Sequence, residues 1–182
     1  MSLREYLNKM KGSTRGGPPR VSNAEILWSW VGAFLGIAGV ALVSRQFFEG
    51  LDMSLMIGSF GASAVLVYGA VRSPLAQPRN LLGGHILSAV IGVMCWKLLS
   101  QNLWLAESMA VATSIAVMHA TRTLHPPGGA TALIAVIGSP AIHKLGFLYV
   151  LIPATVGPLI LLIVALLVNN MPASRRYPEI WF

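Results

Sequence analysis

Charge is scarce in this sequence. Asp, Glu, Lys and Arg make up 10% of its 182 residues, against about 25% in a typical soluble domain. That shortage excludes a water-soluble enzyme core, and the 55% hydrophobic content excludes a disordered chain. Cysteine is nearly absent: the single Cys95 leaves no intrachain disulfide and no cysteine metal cage. The motifs of common chemistry are missing too. There is no Ser/His/Asp constellation, zinc motif or phosphate loop, so neither an enzyme nor a cofactor is expected. A metal site needs about three ligands close together, and no His-x3-His pair with a carboxylate partner is present, so no metal is expected either.

Acidic residues are also few, six against 13 Lys and Arg, for a net charge of +7. In a soluble protein this balance would point to nucleic acid. Here the basic residues cluster before the first apolar run and recur at the ends of later ones, which is how membrane proteins encode topology. The expected partner is therefore the lipid bilayer, with no nucleic acid.

What is plentiful is long apolar sequence. A membrane span needs about 20 mostly apolar residues. Six windows qualify: 26–44, 53–71, 80–96, 103–121 (interrupted only by Glu107), 123–143 and 145–168. The second and fifth are rich in Gly, Ser and Thr, and re-entrant segments are the alternative for them. With six crossings and a cytoplasmic N-terminus, ten basic residues fall inside (Arg4, Lys9, Lys11, Arg15, Arg20, Arg72, Arg79, Arg122, Arg175, Arg176) and three outside (Arg45, Lys97, Lys144). With two re-entrant segments the split is eight to five, so the positive-inside rule favours six spans with both termini cytoplasmic. The chain divides into a basic N-terminal segment and linker (1–25), a membrane domain (26–170) and a tail (171–182). Residues 1–25 lack the apolar stretch of a signal peptide. Leu3, Tyr6, Leu7 and Met10 recur at helical spacing beside Arg4, Lys9 and Lys11, as in a helix lying on an anionic leaflet.

The membrane part repeats itself. Gly61-Ala62-Ser63-Ala64-Val65-Leu66 aligns with Gly129-Ala130-Thr131-Ala132-Leu133-Ile134, and Ser73-Pro74 and Ser139-Pro140 follow at nearly equal distances. Residues 86–92 then align with 151–157. Two halves of three crossings each must be inverted relative to one another. The expected fold is thus an all-α membrane protein of six segments, a 3+3 inverted repeat with broken helices at segments two and five. Such folds place their sites near the midplane, at discontinuous helices in matching positions.

The matching positions carry the candidate substrate site. A proline disfavours helix in the residue before it but is accepted in a first turn, so a helix is expected to start near Pro127, after His125 and Pro126. Its first turn would offer amides of Gly128, Gly129 and Ala130, with a hydroxyl from Thr131. Ser59, Phe60, Gly61, Ala62 and Ser63 would do the same in the first half. Helix starts carry partial positive charge and unsatisfied donors, so two converging starts would hold a small anion without a buried cation, which insertion scales charge about 2.5–3.5 kcal/mol at the bilayer centre. Around this site, Arg72, Arg79, Asn80, His85, His119 and Arg122 are candidates for a gate or vestibule, histidine because it titrates near neutral pH. Lys97 and Glu107, at the outer ends of spans three and four, suggest an ion pair. Arg175-Arg176 reads as a topology anchor.

Residues 58–64 (GSFGASA), 73–80 (SPLAQPRN), Gly84-His85 and 125–132 (HPPGGATA) resemble the HPP family of integral membrane proteins, named for the motif that stands here as His125-Pro126-Pro127. The likeness covers roughly residues 26–170. It implies a bacterial inner-membrane protein or a relative of chloroplast envelope proteins, in a family commonly described with four spans. Some members carry a C-terminal CBS pair, which does not follow residue 182 here. Plant and cyanobacterial members are associated with nitrite transport, so the resemblance narrows the small anion to nitrite, with nitrate second. The alternatives are a passive anion channel and a non-transporting membrane sensor or scaffold. Abundant small residues on the helices also suggest a homo-oligomer.

Overall fold

A computed structural model describes residues 3–11, 17, 19–47 and 56–181. Most of the linker before the first span, and the start of the second apolar window, lie outside them. Among the described residues the fold is all-helical: α1 (Leu3–Met10), α2 (Asn23–Phe47), α3 (Ser59–Ala64), α4 (Pro78–Leu99), α5 (Leu103–Ala120), α6 (Pro126–Ile137), α7 (Pro140–Leu145), α8 (Leu148–Leu151) and α9 (Val156–Val168). A wider π turn, Val65–Gly69, continues α3, and a 3-10 turn, Pro74–Ala76, precedes α4. Proline punctuates these elements. Pro78, Pro126 and Pro140 each occupy a first helical position, where the missing N–H has no partner to lose.

Four apolar stretches are long enough to cross a membrane: α2 (25 residues), α4 (22), α5 (18) and Leu148–Val168 (21), which contains α8 and α9. Two apolar helices are shorter, Ser59–Gly69 and Pro126–Ile137. Twelve residues of α-helix reach about 18 Å, well short of a hydrocarbon core of about 30 Å. The order along the chain is long, short, long, then long, short, long. The last window is interrupted around Pro153, between α8 and α9.

One face gathers most helix ends. Arg175 is its clamp: its side chain is 3% exposed and pairs with the Glu25 carboxylate at 2.6 Å. It also donates to the carbonyls of Glu25 and Tyr68, to Ser29 Oγ and to Asn169 Oδ1. The start of α2, the end of the π turn and the end of α9 are thereby tied together. Tyr177 donates to the Ala76 carbonyl, the Glu179 N–H donates to Gln77 Oε1, and burial pushes the Tyr177 phenol pKa up. Arg79 and Asn80, in the first turn of α4, donate to the carbonyls of Thr121 and Leu124. The α2, α4 and α6 starts and the α5 and α9 ends therefore share this face. Arg175 is thus a buried structural residue, not simply the exposed anchor that the Arg-Arg pair suggests; Arg176 is exposed.

Close packing depends on glycine. Tyr68 fills a groove on α2, where a Cβ at Gly32 would stand 2.6 Å from its ring and one at Gly36 would strike its hydroxyl end. A Cβ at Gly92 of α4 would come 2.5 Å from the Ala132 carbonyl oxygen of α6, and one at Gly157 of α9 would strike the Phe60 ring of α3. Gly92 and Gly157 are partners in the sequence repeat, so each half's third segment packs against the other half's short helix.

Two smaller expectations resolve differently. The Lys97 ammonium lies over the Phe147 ring, 5.9 Å from its centroid, and makes no ion pair with Glu107. The hairpin 100–102 is short, and α4 turns Lys97 toward the segment before α8. The basic N-terminal helix is present as α1, with Leu3, Tyr6, Leu7 and Met10 all exposed.

Candidate functional site

Where α3 and α6 meet, side chains from both halves form one buried polar chain. Ser63 Oγ lies 2.7 Å from His85 Nε2 and 2.9 Å from His125 Nε2. His85 Nδ1 lies 2.7 Å from Thr131 Oγ1, which is 2.9 Å from Ser59 Oγ. At the other end the His125 Nδ1–H donates to the Leu75 carbonyl at 2.8 Å. Ser63, His85, His125 and Thr131 are each 0% exposed, and Ser59 is 1%. Buried polar groups must be paired, and here every one of them is.

The local sequence explains the placement. His125 is held extended as the residue before a proline,, so its ring drops beside α4 instead of continuing α5. Gly84 makes the room, because a Cβ there would sit 2.5 Å from His125 Cβ. Gly128 does the same one turn on, with the Gly84 carbonyl and Ser88 Oγ both 2.8 Å from where its Cβ would be. His85 follows Gly84 on α4, where the edge of Phe60 meets its ring at 5.5 Å. The two imidazole centroids are 5.1 Å apart. Tyr149 of α8 donates to the Thr131 carbonyl and braces α6 from behind.

The two short helices run in opposite senses with their first turns side by side. Ser59, the first residue of α3, reaches Thr131 in the second turn of α6, while His125, just before α6, reaches Ser63 in the second turn of α3. Phe60 is level with Gly157, eleven residues before the end of α9, or about 16 Å of helix. The cluster thus sits close to half the bilayer thickness above the clamped face.

The expected residues divide. Ser59, Ser63, His85, His125 and Thr131 join the chain, with Phe60, Pro127 and Gly128 packed around it. Gly61 and Ala62 turn outward and are exposed. Gly129 and Ala130 turn toward α5, where with Pro126 and the exposed His119 they line an apolar cavity of about 530 Å³. His119 is therefore one helix face away from the other histidines. Arg79, Asn80 and Arg122 line a cavity of about 230 Å³ with Pro74, Gln77, Ile180 and Trp181. It adjoins the chain, since Asn80 is bonded to the residue before His125. Arg122 adopts a positive φ of 57° there, an uncommon conformation for a side-chain-bearing residue. Arg72 stands apart, beside Ser174 and Glu179, in a separate cavity of about 250 Å³.

Of the amides expected to be free at the α6 start, that of Gly128 is engaged. Pro126 and Pro127 have no N–H, and the Gly128 N–H donates to the His125 carbonyl at 2.8 Å. The prolines that break the helix also remove its donors. Hydroxyls and imidazoles fill that role. The sequence reading placed His85 in the gate, although it is the hub of the chain; Gly84-His85 beside an apolar helix face was the available signal. It missed Tyr149 and the Leu75 carbonyl, which carry no motif. No three His, Cys, Asp or Glu side chains among the described residues are grouped as a metal set.

Comparison with known proteins gives the family. Two transmembrane proteins of Dictyostelium discoideum are 42% and 43% identical, over 98% and 100% of this chain. The chain spans 58% and 65% of their respective lengths. Those relatives are eukaryotic, whereas the resemblance suggested a bacterial membrane. No solved structure matches. Residues 18–178 match the HPP transmembrane region, and the chain belongs to that family of membrane proteins.

Proposed function

We infer that this membrane protein transports a small monovalent anion, with nitrite, the substrate the family resemblance implies, as the first candidate and nitrate the second. The observation that carries this reading is the polar chain itself. Two hydroxyls in equivalent repeat positions, Ser63 and Thr131, flank one imidazole, His85, about 16 Å of helix from the clamped face. Polar groups in a membrane interior are costly and mark function. Hydroxyl and imidazole hydrogens are the donors a nitrite-sized anion needs, and the adjacent helix start adds partial positive charge.

The inverted repeat belongs to the same reading. It is supported by the long-short-long order in each half, by the antiparallel short helices, and by the crossed packing of Gly92 and Gly157. In this arrangement all six segments cross, segments two and five as interrupted helices. The face holding Arg20, Arg79, Arg122, Arg175 and Arg176 is cytoplasmic by the positive-inside rule. Both termini lie on that side, and Arg79 and Arg122 form the vestibule that gathers the anion. A second copy of the chain would cover the exposed Gly61 and Ala62 of α3 and the flanking Gly58 and Val65. A permanently open pore is disfavoured, because the chain is fully closed and fully paired. Passage needs the halves to shift, as in alternating access.

The test is nitrite uptake by purified protein in liposomes. Saturable uptake above that of protein-free vesicles is expected, reduced at least tenfold by His85→Gln. Uptake equal to that of protein-free vesicles would remove transport and leave the scaffold or sensor reading.

A further inference from the structure

The histidine chain has a direction, and the direction suggests a second passenger. A carbonyl only accepts, so with both rings neutral His125 carries its hydrogen on Nδ1, facing the Leu75 carbonyl, and its Nε2 accepts. Ser63 must then donate to His125 Nε2. With its one hydrogen used, Ser63 accepts from His85, whose hydrogen is therefore on Nε2. The His85 Nδ1 accepts from Thr131 Oγ1, whose single hydrogen then turns away from its other acceptors, Ser59 Oγ and the Pro127 carbonyl. His85, Ser63 and His125 each donate toward the cytoplasmic face and each accept from the other side. The neutral chain closes in no other way: if Ser63 gives its hydrogen to His85, His125 Nε2 is left facing a lone pair.

We propose that His85, Ser63 and His125 form a proton relay that couples the anion to one proton. The relay rests on the transport reading above. A proton reaching Thr131 Oγ1 from the Ser59 side displaces the hydrogen already there onto His85 Nδ1. His85 passes its Nε2 hydrogen to Ser63, and Ser63 passes its own to His125 Nε2. Each atom that gains a hydrogen loses one except His125, which becomes an imidazolium. The net change is one proton taken from the outer side and one positive charge placed on His125. The bonds linking Thr131, His85, Ser63 and His125 survive with their sense reversed, and the His125 Nδ1–H still donates to the Leu75 carbonyl. Thr131 now turns its hydrogen to Ser59 Oγ or to the Pro127 carbonyl, both within 3.2 Å.

Among the described residues that charge has no counter-ion. From α3 the chain is faced by Ser59, Ser63 and Phe60; from α5 by Met118 and, through Gly128, from α4 by Ser88. From α6 it is faced by Thr131, from α8 by Tyr149, bonded to the Thr131 carbonyl, and from the 3-10 turn by the Leu75 carbonyl. α9 contributes Gly157 behind Phe60. Among the described residues, the full charges at the adjoining vestibule are the cationic Arg79 and Arg122, which repel an imidazolium. An unpaired charge buried this deeply is strongly disfavoured, and two protons on rings 5.1 Å apart more so. The relay holds one proton only when one anion lies beside it. When the anion leaves, the His125 Nδ1 proton passes to water in the vestibule, since the Leu75 carbonyl can only accept a hydrogen bond, and the Ser63, His85 and Thr131 hydrogens turn back to their resting sense. The expected reaction is electroneutral, one proton with one monovalent anion.

Two measurements test this separately from transport itself. In liposomes, initial nitrite uptake is followed with an internal pH dye, and protein-free vesicles are subtracted to remove diffusion of nitrous acid. One proton per nitrite is expected, with the rate set by the pH gradient and unchanged by a potassium–valinomycin potential. Ser63→Ala should abolish the proton flux. Uptake that follows the potential and ignores the pH gradient would overturn the relay and leave transport standing. The second measurement needs no transport: nitrogen-15 NMR of labelled histidine in bilayers near neutral pH. His125 is expected as the Nδ1–H tautomer and His85 as the Nε2–H tautomer, with Ser63→Ala disturbing both. The same tautomer on both rings, or rings indifferent to Ser63→Ala, would overturn the relay even if nitrite is carried.

Discussion

The short helices α3 and α6 carry the same small-residue pattern and have opposite surroundings. In α6, Pro127, Gly128, Gly129, Thr131, Ala132, Ala135 and Val136 are buried. It lies between α4 and α5 and is braced by Tyr149. In α3, Ser59, Phe60, Ser63 and Ala64 are buried, but Gly61 and Ala62, and the flanking Gly58 and Val65, are exposed. That helix loses its regular turn after only six residues, passing into the π turn Val65–Gly69. One side of the site is therefore built into a helical sandwich, and the other is pinned along one face. Local segments with few packed neighbours are those that open most easily, so α3 is the element expected to move in the proposed transport cycle.

Overpacking α6 should break this contrast most severely. Gly128→Val would drive a side chain into the Gly84 carbonyl and Ser88 Oγ, both 2.8 Å from the first carbon added. Backbone cannot step aside as a side-chain tip can, and overpacking of this kind costs about 3 kcal/mol. Thermal unfolding in detergent should show a large loss, with little protein reaching the folded state. Gly129 is the instructive neighbour. The sequence marks it equally, yet a Cβ there meets only Val111 at 3.8 Å, so Gly129→Ala should fold normally. If Gly128→Val proved as stable as wild type, the picture of α6 as the fixed half would fail.

The two equivalent hydroxyls should differ less, and in the same sense. Ser63→Ala removes the link between both imidazoles and leaves two ring nitrogens without a partner. A buried unsatisfied polar group costs about 1–3 kcal/mol, so a loss of roughly 2 kcal/mol is expected. Thr131→Val keeps the shape of the side chain while releasing His85 Nδ1 and Ser59, and about 1 kcal/mol is expected. Denaturation of the two variants side by side measures the difference. Equal values would mean that Ser63 is no more central than its repeat partner.

Much of this was legible in the sequence, because membranes enforce simple rules. A charge-free window of about 20 residues has few alternatives, and proline marks where a helix begins, so the six apolar segments and the α6 start could be read directly. His125 and Ser63 stood out through the motif and the repeat. What remained hidden depends on contacts between distant segments. Whether an amide is free depends on what the preceding carbonyl does, and at Gly128 it is taken by His125. Whether an arginine is an anchor or a clamp depends on who meets it: Arg175 finds Glu25, 150 residues away. His85 and His119 look alike in sequence, each a lone histidine on an apolar helix. Only the glycine at position 84, which lets another chain segment approach, separates the hub from the bystander.

The smallest expected effect has the opposite sign and tests the exposed side of α3. A Cβ at Gly61 meets nothing within 4 Å, and glycine in a helix interior is about 0.5–1 kcal/mol less favourable than alanine. Gly61→Ala should therefore stabilise an isolated chain by about 0.5 kcal/mol, read as a small rise in the unfolding temperature in detergent. In a bilayer the same change separates two occupants of that face. If lipid covers it, the gain persists and transport is slowed at most slightly through the stiffer helix. If a second copy packs there, the added methyl meets the partner's backbone, and cross-linking of neighbouring chains should fall while the monomer's stability rises. A gain in detergent with unchanged cross-linking would assign the face to lipid and leave α3 as the mobile half of a site complete within one chain.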